Sequence, residues 1–215
     1  MSQFVSFEHK YVKEVYDEIA CDFDRTRNTP WKFVSQFILN LSPNSKMLDL
    51  GCGNGKYLSV RSDLDIYALD NCANLISIVN LKYPTVKTFV SDVLTTNFPS
   101  NYFDAIISIA VIHHLSTVER RLDMLKEIIR ILKLDGVALI TAWATSQNLT
   151  INKKISENND FLIPWTYKKL NKTFERFYHL FEKDELEQLC GNFDNIKIIN
   201  SGFDKDNWYV VIQKT

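Results

Sequence analysis

The feature that most limits what this chain can fold into is an apolar run that ends in a glycine loop, MLDLGCGNGKY at residues 47–57, with Gly51, Gly53 and Gly55 at alternate positions. A strand that runs into such a turn presents backbone N–H groups at its carboxyl end, where open α/β sheets bind ligands. Around the loop, strand-like and helix-like segments alternate. Strands are expected over residues 47–50, 66–69, 87–90, 103–108 and 137–143, and Leu122, Leu125, Ile128, Ile129 and Leu132 mark the buried stripe of a helix. Parallel strands need crossovers, usually helical, so the pattern predicts a doubly wound, mostly parallel Rossmann-like α/β sheet. Two more strands, 196–200 and 208–213, are too close for a helix between them. They predict an antiparallel C-terminal hairpin and a seven-stranded sheet.

The 215 residues fit one domain. Residues 1–45 are expected to form N-terminal helices, one with Val12, Val15, Tyr16, Ile19 and Phe23 on its apolar face and a second with Thr29 as cap and Pro30 at its first position. Residues 46–143 would be the ligand-binding core, and 181–215 the C-terminal helix and hairpin. Residues 144–180 form an insertion, polar over 144–172 and read there as a loop. No run reaches the roughly 20 apolar residues of a membrane span, so no membrane partner is expected. The four cysteines show no C-x-x-C spacing, which gives no metal motif. Charges scattered through the N-terminus predict a cytoplasmic protein, with the nucleus also open. The net charge of −1 sends no bulk attraction toward nucleic acid.

The loop is not a Walker motif, because Gly55-Lys56 is followed by Tyr57 rather than Ser or Thr. It differs from a dinucleotide fingerprint in reading G-x-G-x-G. Three carboxylates narrow it. Asp49, just before the loop, is adverse to a pyrophosphate and suited to a cationic amine. Asp70, 19 residues after Gly51, ends the second strand, where a carboxylate binds ribose hydroxyls. Asp92 follows the third strand and can accept from an adenine amino group. Together they describe a site for S-adenosylmethionine, with Asp49, Gly51, Gly53, Asn54, Asp70, Asp92, Val93 and Ile109 as the expected cofactor-binding residues.

With these motifs the chain resembles a class I methyltransferase, and more narrowly one family. KYVKEVYDEIACDFDRTRNTPW, SIAVIHHLSTVERR, RFYHLF and GFDKDNWYVVIQK are similar to segments of the tRNA wobble-uridine carboxymethyl methyltransferases, free-standing in fungi and fused to an AlkB-type oxygenase in animals. The resemblance implies methylation of the carboxylate of 5-carboxymethyluridine in the tRNA anticodon, together with a small zinc-binding activator protein. The lysine-rich insert that some members carry before RFYHLF is short here, and Leu115 stands where a tryptophan is common.

A carboxylate, which ordinarily titrates at about pH 4, is already ionised at neutral pH, so such a reaction needs positioned cations rather than a general base. Candidate catalytic residues are Arg27, in a segment matching the family's T-R-x-x-P-W, His114 and Asn207. Candidate substrate-binding residues are Arg27, His113, Arg176, His179 and Trp208, the last for stacking on a base. From 150 to 183 seven Lys or Arg face four acids, a local basic excess. The third strand would be a sheet edge, apolar at Val86, Phe89 and Val90, and the activator is expected to cover it. A small-molecule carboxyl or oxygen methyltransferase, and a catalytically silent tRNA-binding scaffold, remain open alternatives at this point.

Overall fold

The computed structural model describes residues 3–146 and 153–215; residues 147–152 of the expected insertion lie outside them. Seven strands make one sheet in the order β3-β2-β1-β4-β5-β10-β9. These are β1 (Lys46–Leu50), β2 (Asp65–Asp70), β3 (Lys87–Val90), β4 (Phe103–Ile109), β5 (Leu132–Trp143), β9 (Ile196–Asp204) and β10 (Asn207–Lys214). The first five are parallel, and β10 runs antiparallel to both β5 and β9. The period of two along each strand splits the core. Leu48, Leu50, Ile106 and Ile140 pack with Met124, Leu125 and Ile128 of α5 (Val118–Ile131), whereas Met47, Ala105, Ile107 and Leu139 pack with Val34 and Ile38 of α3 (Lys32–Leu39). Helix α4 (Ala73–Lys82) joins β2 to β3, and α6 (Glu185–Cys190) precedes the C-terminal hairpin.

The hairpin is tighter than expected. Its strands extend through the SGFDKDN segment, and only Lys205 and Asp206, at φ 48° and 58°, make the turn. Two consecutive left-handed residues are the conformation whose twist matches the flanking strands.

At the N-terminus, α1 (Gln3–Glu8), a π-helical turn (His9–Lys13) and α2 (Glu14–Thr26) run on without a break. The expected start of the next helix is corrected. Neither Thr29 nor Pro30 begins it, because Trp31 is extended (φ −77°, ψ 135°) and α3 starts at Lys32. Trp31 is in turn fixed by packing beside Val34 and Ile38 and by the Lys56 ammonium 4.8 Å from its ring.

The insertion is also corrected. It is not a loop over its described part but a second antiparallel sheet of β6 (Lys153–Lys154), β7 (Asp160–Tyr167) and β8 (Lys172–His179). Pro164 in mid-strand masked it. Among the described residues Pro164 has a strand partner on one side only, Glu175 of β8, and a proline is tolerated in a strand where its missing N–H leaves no ladder bond unmade. Trp165 seats this sheet on Val15 and Ile19 of α2, with Phe174 packed against them.

His179, at the end of β8, bolts the small sheet to α6. Its two ring nitrogens lie 2.8 Å from Asp160 and 2.7 Å from Glu185. Burial opposes its charge, but the two carboxylates outweigh burial and raise its pKa. A raised histidine pKa contributes stability that is complete below about pH 6.5 and is lost as pH climbs through the folded value. His179→Gln should therefore cost about 3 kcal/mol at pH 6 and distinctly less at pH 9, measured by urea unfolding at both. An equal cost at the two pH values would remove the charge from this account.

Candidate active site

A cavity of about 480 Å³ opens at the carboxyl ends of β1, β2 and β4, beneath the N-terminal helices and beside β8. The glycine loop forms its floor. Gly51 sits at φ 81°, and a Cβ there would lie 2.4 Å from Val111 Cγ2, so no other residue fits without displacing the β4 side of the cavity. Asp70 shapes the same loop: one oxygen accepts the Gly53 N–H at 2.8 Å and the other the Cys72 N–H at 2.9 Å. The Asn71 N–H bonds to this carboxylate as well, and with about four lone-pair sites it keeps acceptor capacity for a further donor.

Asp49 is 1% exposed, and its Oδ2 has no hydrogen-bond partner among the described residues. Burial, then the nearby charge of Asp70, push its pKa up to about 7, with Lys56 pulling the other way. A carboxylate left this way is matched by a cationic ligand group. Asp92 borders the cavity, with Oδ1 accepting the Leu94 N–H at 2.9 Å, and Val93 and Ile109 supply apolar wall. Asn54 is also at the cavity, but its amide N–H groups go to Asp24 (3.0 Å) and the Arg27 carbonyl (3.1 Å), tying the end of α2 to the glycine loop. These residues fit S-adenosylmethionine: Asp49 faces a cation, Asp70 has acceptors for ribose hydroxyls, and the left-handed glycines leave room for a close approach.

The opposite wall is cationic. Arg176, on β8, is 5% exposed, and no carboxylate among the described residues pairs with it. Its Nη1 donates to the hydroxyls of Tyr178 (2.7 Å) and Tyr16 (3.4 Å), while its Nε has no partner among the described residues. Arg27, at the end of α2, lies across the same indole: the two guanidinium carbons are 5.0 Å (Arg27) and 4.8 Å (Arg176) from the Trp165 ring. Trp165 is itself anchored by donating to Asp22 at 3.0 Å. Lys56 also faces the cavity, its pKa lowered to about 8 by burial, with Asp49 opposing the shift.

The two histidines line this cavity as neutral groups. His114 Nδ1 lies 2.8 Å from the Phe177 carbonyl, which can only accept, so the proton is on Nδ1 and Nε2 accepts the Tyr16 hydroxyl at 3.0 Å. Burial drives its pKa down to about 3. His113 stacks on Tyr178 at 4.8 Å and accepts the Trp143 backbone N–H on Nδ1; burial first, with the charge of Arg176 adding to it, holds it well below the ordinary range.

Three expected site residues are not brought to the cavity. His179 is occupied by Asp160 and Glu185. Trp208 donates to the Phe181 carbonyl at 3.1 Å and packs on Phe203, so its indole is spent inside the fold. Asn207 donates to the Lys205 carbonyl within the hairpin turn and pairs across the sheet with Trp143, which does border the cavity. Sequence reasoning missed Tyr16, Lys56 and Tyr178. Tyr178 lay inside the quoted RFYHLF, and Lys56 beside Gly55, but only the fold turns them inward.

A parallel sheet with this acidic cradle defines an S-adenosylmethionine-dependent methyltransferase, and residues 48–140 match the model of a family described as a methyltransferase domain. The fold is similar to that of an S-adenosylmethionine-dependent methyltransferase from Clostridium acetobutylicum (TM-score 0.71, 16% identity, 93% of this chain and 99% of that one). A tRNA (carboxymethyluridine(34)-5-O)-methyltransferase of Schizosaccharomyces pombe is 36% identical over 98% of this chain and 99% of its own length. Another, from Xenopus tropicalis, is 36% identical over 97% of this chain, which spans only 41% of that longer protein. The chain belongs to the tRNA (carboxymethyluridine(34)-5-O)-methyltransferase family.

The Asp49 environment sets a pH test. A cationic amine binds the ionised carboxylate, so cofactor affinity should fall by up to about tenfold per unit as pH drops below 7, and Asp49→Asn should bind weakly with a flat profile. Calorimetry from pH 5.5 to 8.5 measures this; a flat wild-type profile would contradict it.

Proposed function

We propose that this chain methylates the carboxylate of 5-carboxymethyluridine at the wobble position of a tRNA anticodon, forming the methyl ester. The names of its relatives support this acceptor, and one observation here carries it: Arg176, a buried guanidinium at the cavity wall with hydroxyl partners but, among the described residues, no carboxylate. An unpaired buried cation is costly, and an anionic ligand relieves that cost. When bound, S-adenosylmethionine supplies an electrophilic methyl group, which a carboxylate oxygen can accept without any proton being moved. Arg176 and Arg27 would hold the acceptor carboxylate, and the planar fork of a guanidinium suits its geometry. The neutral His114 supplies no base. It fixes the Tyr16 hydroxyl so that its oxygen faces Arg176. The acidic cradle of Asp49, Asp70 and Asp92 would hold the donor across the cavity. A small-molecule acceptor is favoured by none of these features.

We further propose that the small zinc-binding activator implied by the resemblance adds a strand to β3. This strand is a sheet edge, with Phe89 37% exposed and Val90 more so. A cytoplasmic setting is supported by four unpaired thiols.

Labelled S-adenosylmethionine and a carboxymethyluridine-containing anticodon stem-loop test the reaction, with and without the activator. Base-labile label on the RNA is expected; none in either case would refute it. Arg176→Met separates function from support. It should lower kcat/KM by about 100-fold, as loss of one preorganised donor does, with cofactor affinity unchanged. Thermal stability should hold or rise, because an apolar group replaces an uncompensated charge. A destabilised variant with normal turnover would make Arg176 structural.

A further inference from the structure

The β7–β8 hairpin ends beyond the cavity in a tip that the reaction itself does not use. Lys168–Leu170 form one 3₁₀ turn, Asn171 is left-handed at φ 48°, and Lys172 begins the return strand. Lys168, Lys169 and Lys172 are exposed, and no acidic residue occurs between Asp160 and Glu175. Among the described residues none of the three pairs with a carboxylate, whereas Lys87, Lys133 and Lys82 elsewhere on the surface each do.

We infer that this tip is an arm that grips the sugar-phosphate backbone of the RNA whose base enters the cavity; the inference rests on the RNA acceptor proposed above. Strand alternation puts Lys172, Phe174, Arg176 and Tyr178 on one face of β8, so the tip continues the line that begins at the carboxylate site. Lys172 stands about 13 Å along the strand from Arg176, at roughly 3.3 Å per residue. Its ammonium rests 4.6 Å from the Phe174 ring, held along that face. Tyr167 and Phe174, which flank the tip, pack on α2, so the arm is fixed before RNA arrives and little order has to be gained on binding. Leu170, 54% exposed among the lysines, offers an apolar surface to a ribose or base. Lysine is a point charge on a flexible stem, suited to irregularly spaced phosphates, whereas the arginines at the cavity suit one planar carboxylate. With a net charge of −1, the chain has to attract RNA through such local excess.

The test is equilibrium binding of the carboxymethyluridine stem-loop from 50 to 300 mM KCl, for the wild type and K168A/K169A/K172A, with methyl transfer measured on the same preparations. Loss of three contacts to single-stranded RNA should flatten the slope of log K against log salt by about 2, at roughly 0.7 per phosphate. KM for the stem-loop should rise more than tenfold, while kcat at saturating RNA and cofactor affinity stay within twofold. K126A, which removes an exposed lysine on α5, should leave the slope unchanged. Identical slopes and affinities for wild type and triple variant, or an equal loss in K126A, would overturn the arm. A wild type that binds with the expected slope difference but transfers no methyl would instead overturn the proposed reaction and leave the arm standing.

Discussion

The site depends on how a buried guanidinium is held with no carboxylate partner among the described residues. Arg176 leans on the Tyr178 and Tyr16 hydroxyls, and the direction of the Tyr16 hydroxyl is set by a histidine whose proton is fixed elsewhere. The Phe177 carbonyl keeps the His114 proton on Nδ1, the free Nε2 accepts a hydrogen bond from the Tyr16 hydroxyl, and the Tyr16 oxygen is thereby left as an acceptor. That chain of bonds joins α2, the turn after β4, and β8, three parts of the sequence that share no local contact. Neutral partners solvate the charge without cancelling it.

The cavity is consequently divided by charge. Asp49, Asp70 and Asp92 lie at the strand ends, and Arg27 and Arg176 lie on the wall built by α2 and β8, with Lys56 between. Such a division suits a reaction that brings a cationic donor to an anionic acceptor, since each reactant is drawn to its own end before they meet. It also explains a cost in the fold: Asp49 with its raised pKa and Arg176 without an ion pair are each unfavourable taken alone. A cost of this kind at a site is offset by packing elsewhere, here the two apolar layers on either side of the sheet.

Much of the fold was legible because local pattern and tertiary demand agree there. The glycine loop, the parallel strands and Asp70 at the end of β2 follow from periodicity and turn chemistry. The small sheet was hidden because a proline in mid-run demotes a strand reading, and the pairing that sets Pro164 opposite Glu175 is a fact about β8. Helix α3 starts late because Trp31 obeys its packing rather than the cap signal of Thr29. At the site, Arg27 and Arg176 can be chosen from the sequence as cations, but what distinguishes them cannot. Arg176 and Tyr16 are 160 residues apart, and the absence of a carboxylate is visible only when every neighbour is in place. Trp208 and His179 looked equally suitable by type and were spent on the Phe181 carbonyl and on the Asp160 and Glu185 carboxylates, partners that only the folded arrangement brings to them.

The central claim is that the cavity wall at Arg176 and Arg27 is an anion site awaiting a carboxylate. Its most direct measurement compares the affinity of 5-carboxymethyluridine with that of its uncharged methyl ester, by calorimetry in the presence of S-adenosylhomocysteine. The account predicts that the carboxylate binds at least about tenfold more tightly, a difference of roughly 1.4 kcal/mol, and that Arg176→Met abolishes the preference. Equal binding of acid and ester by the wild type would contradict it.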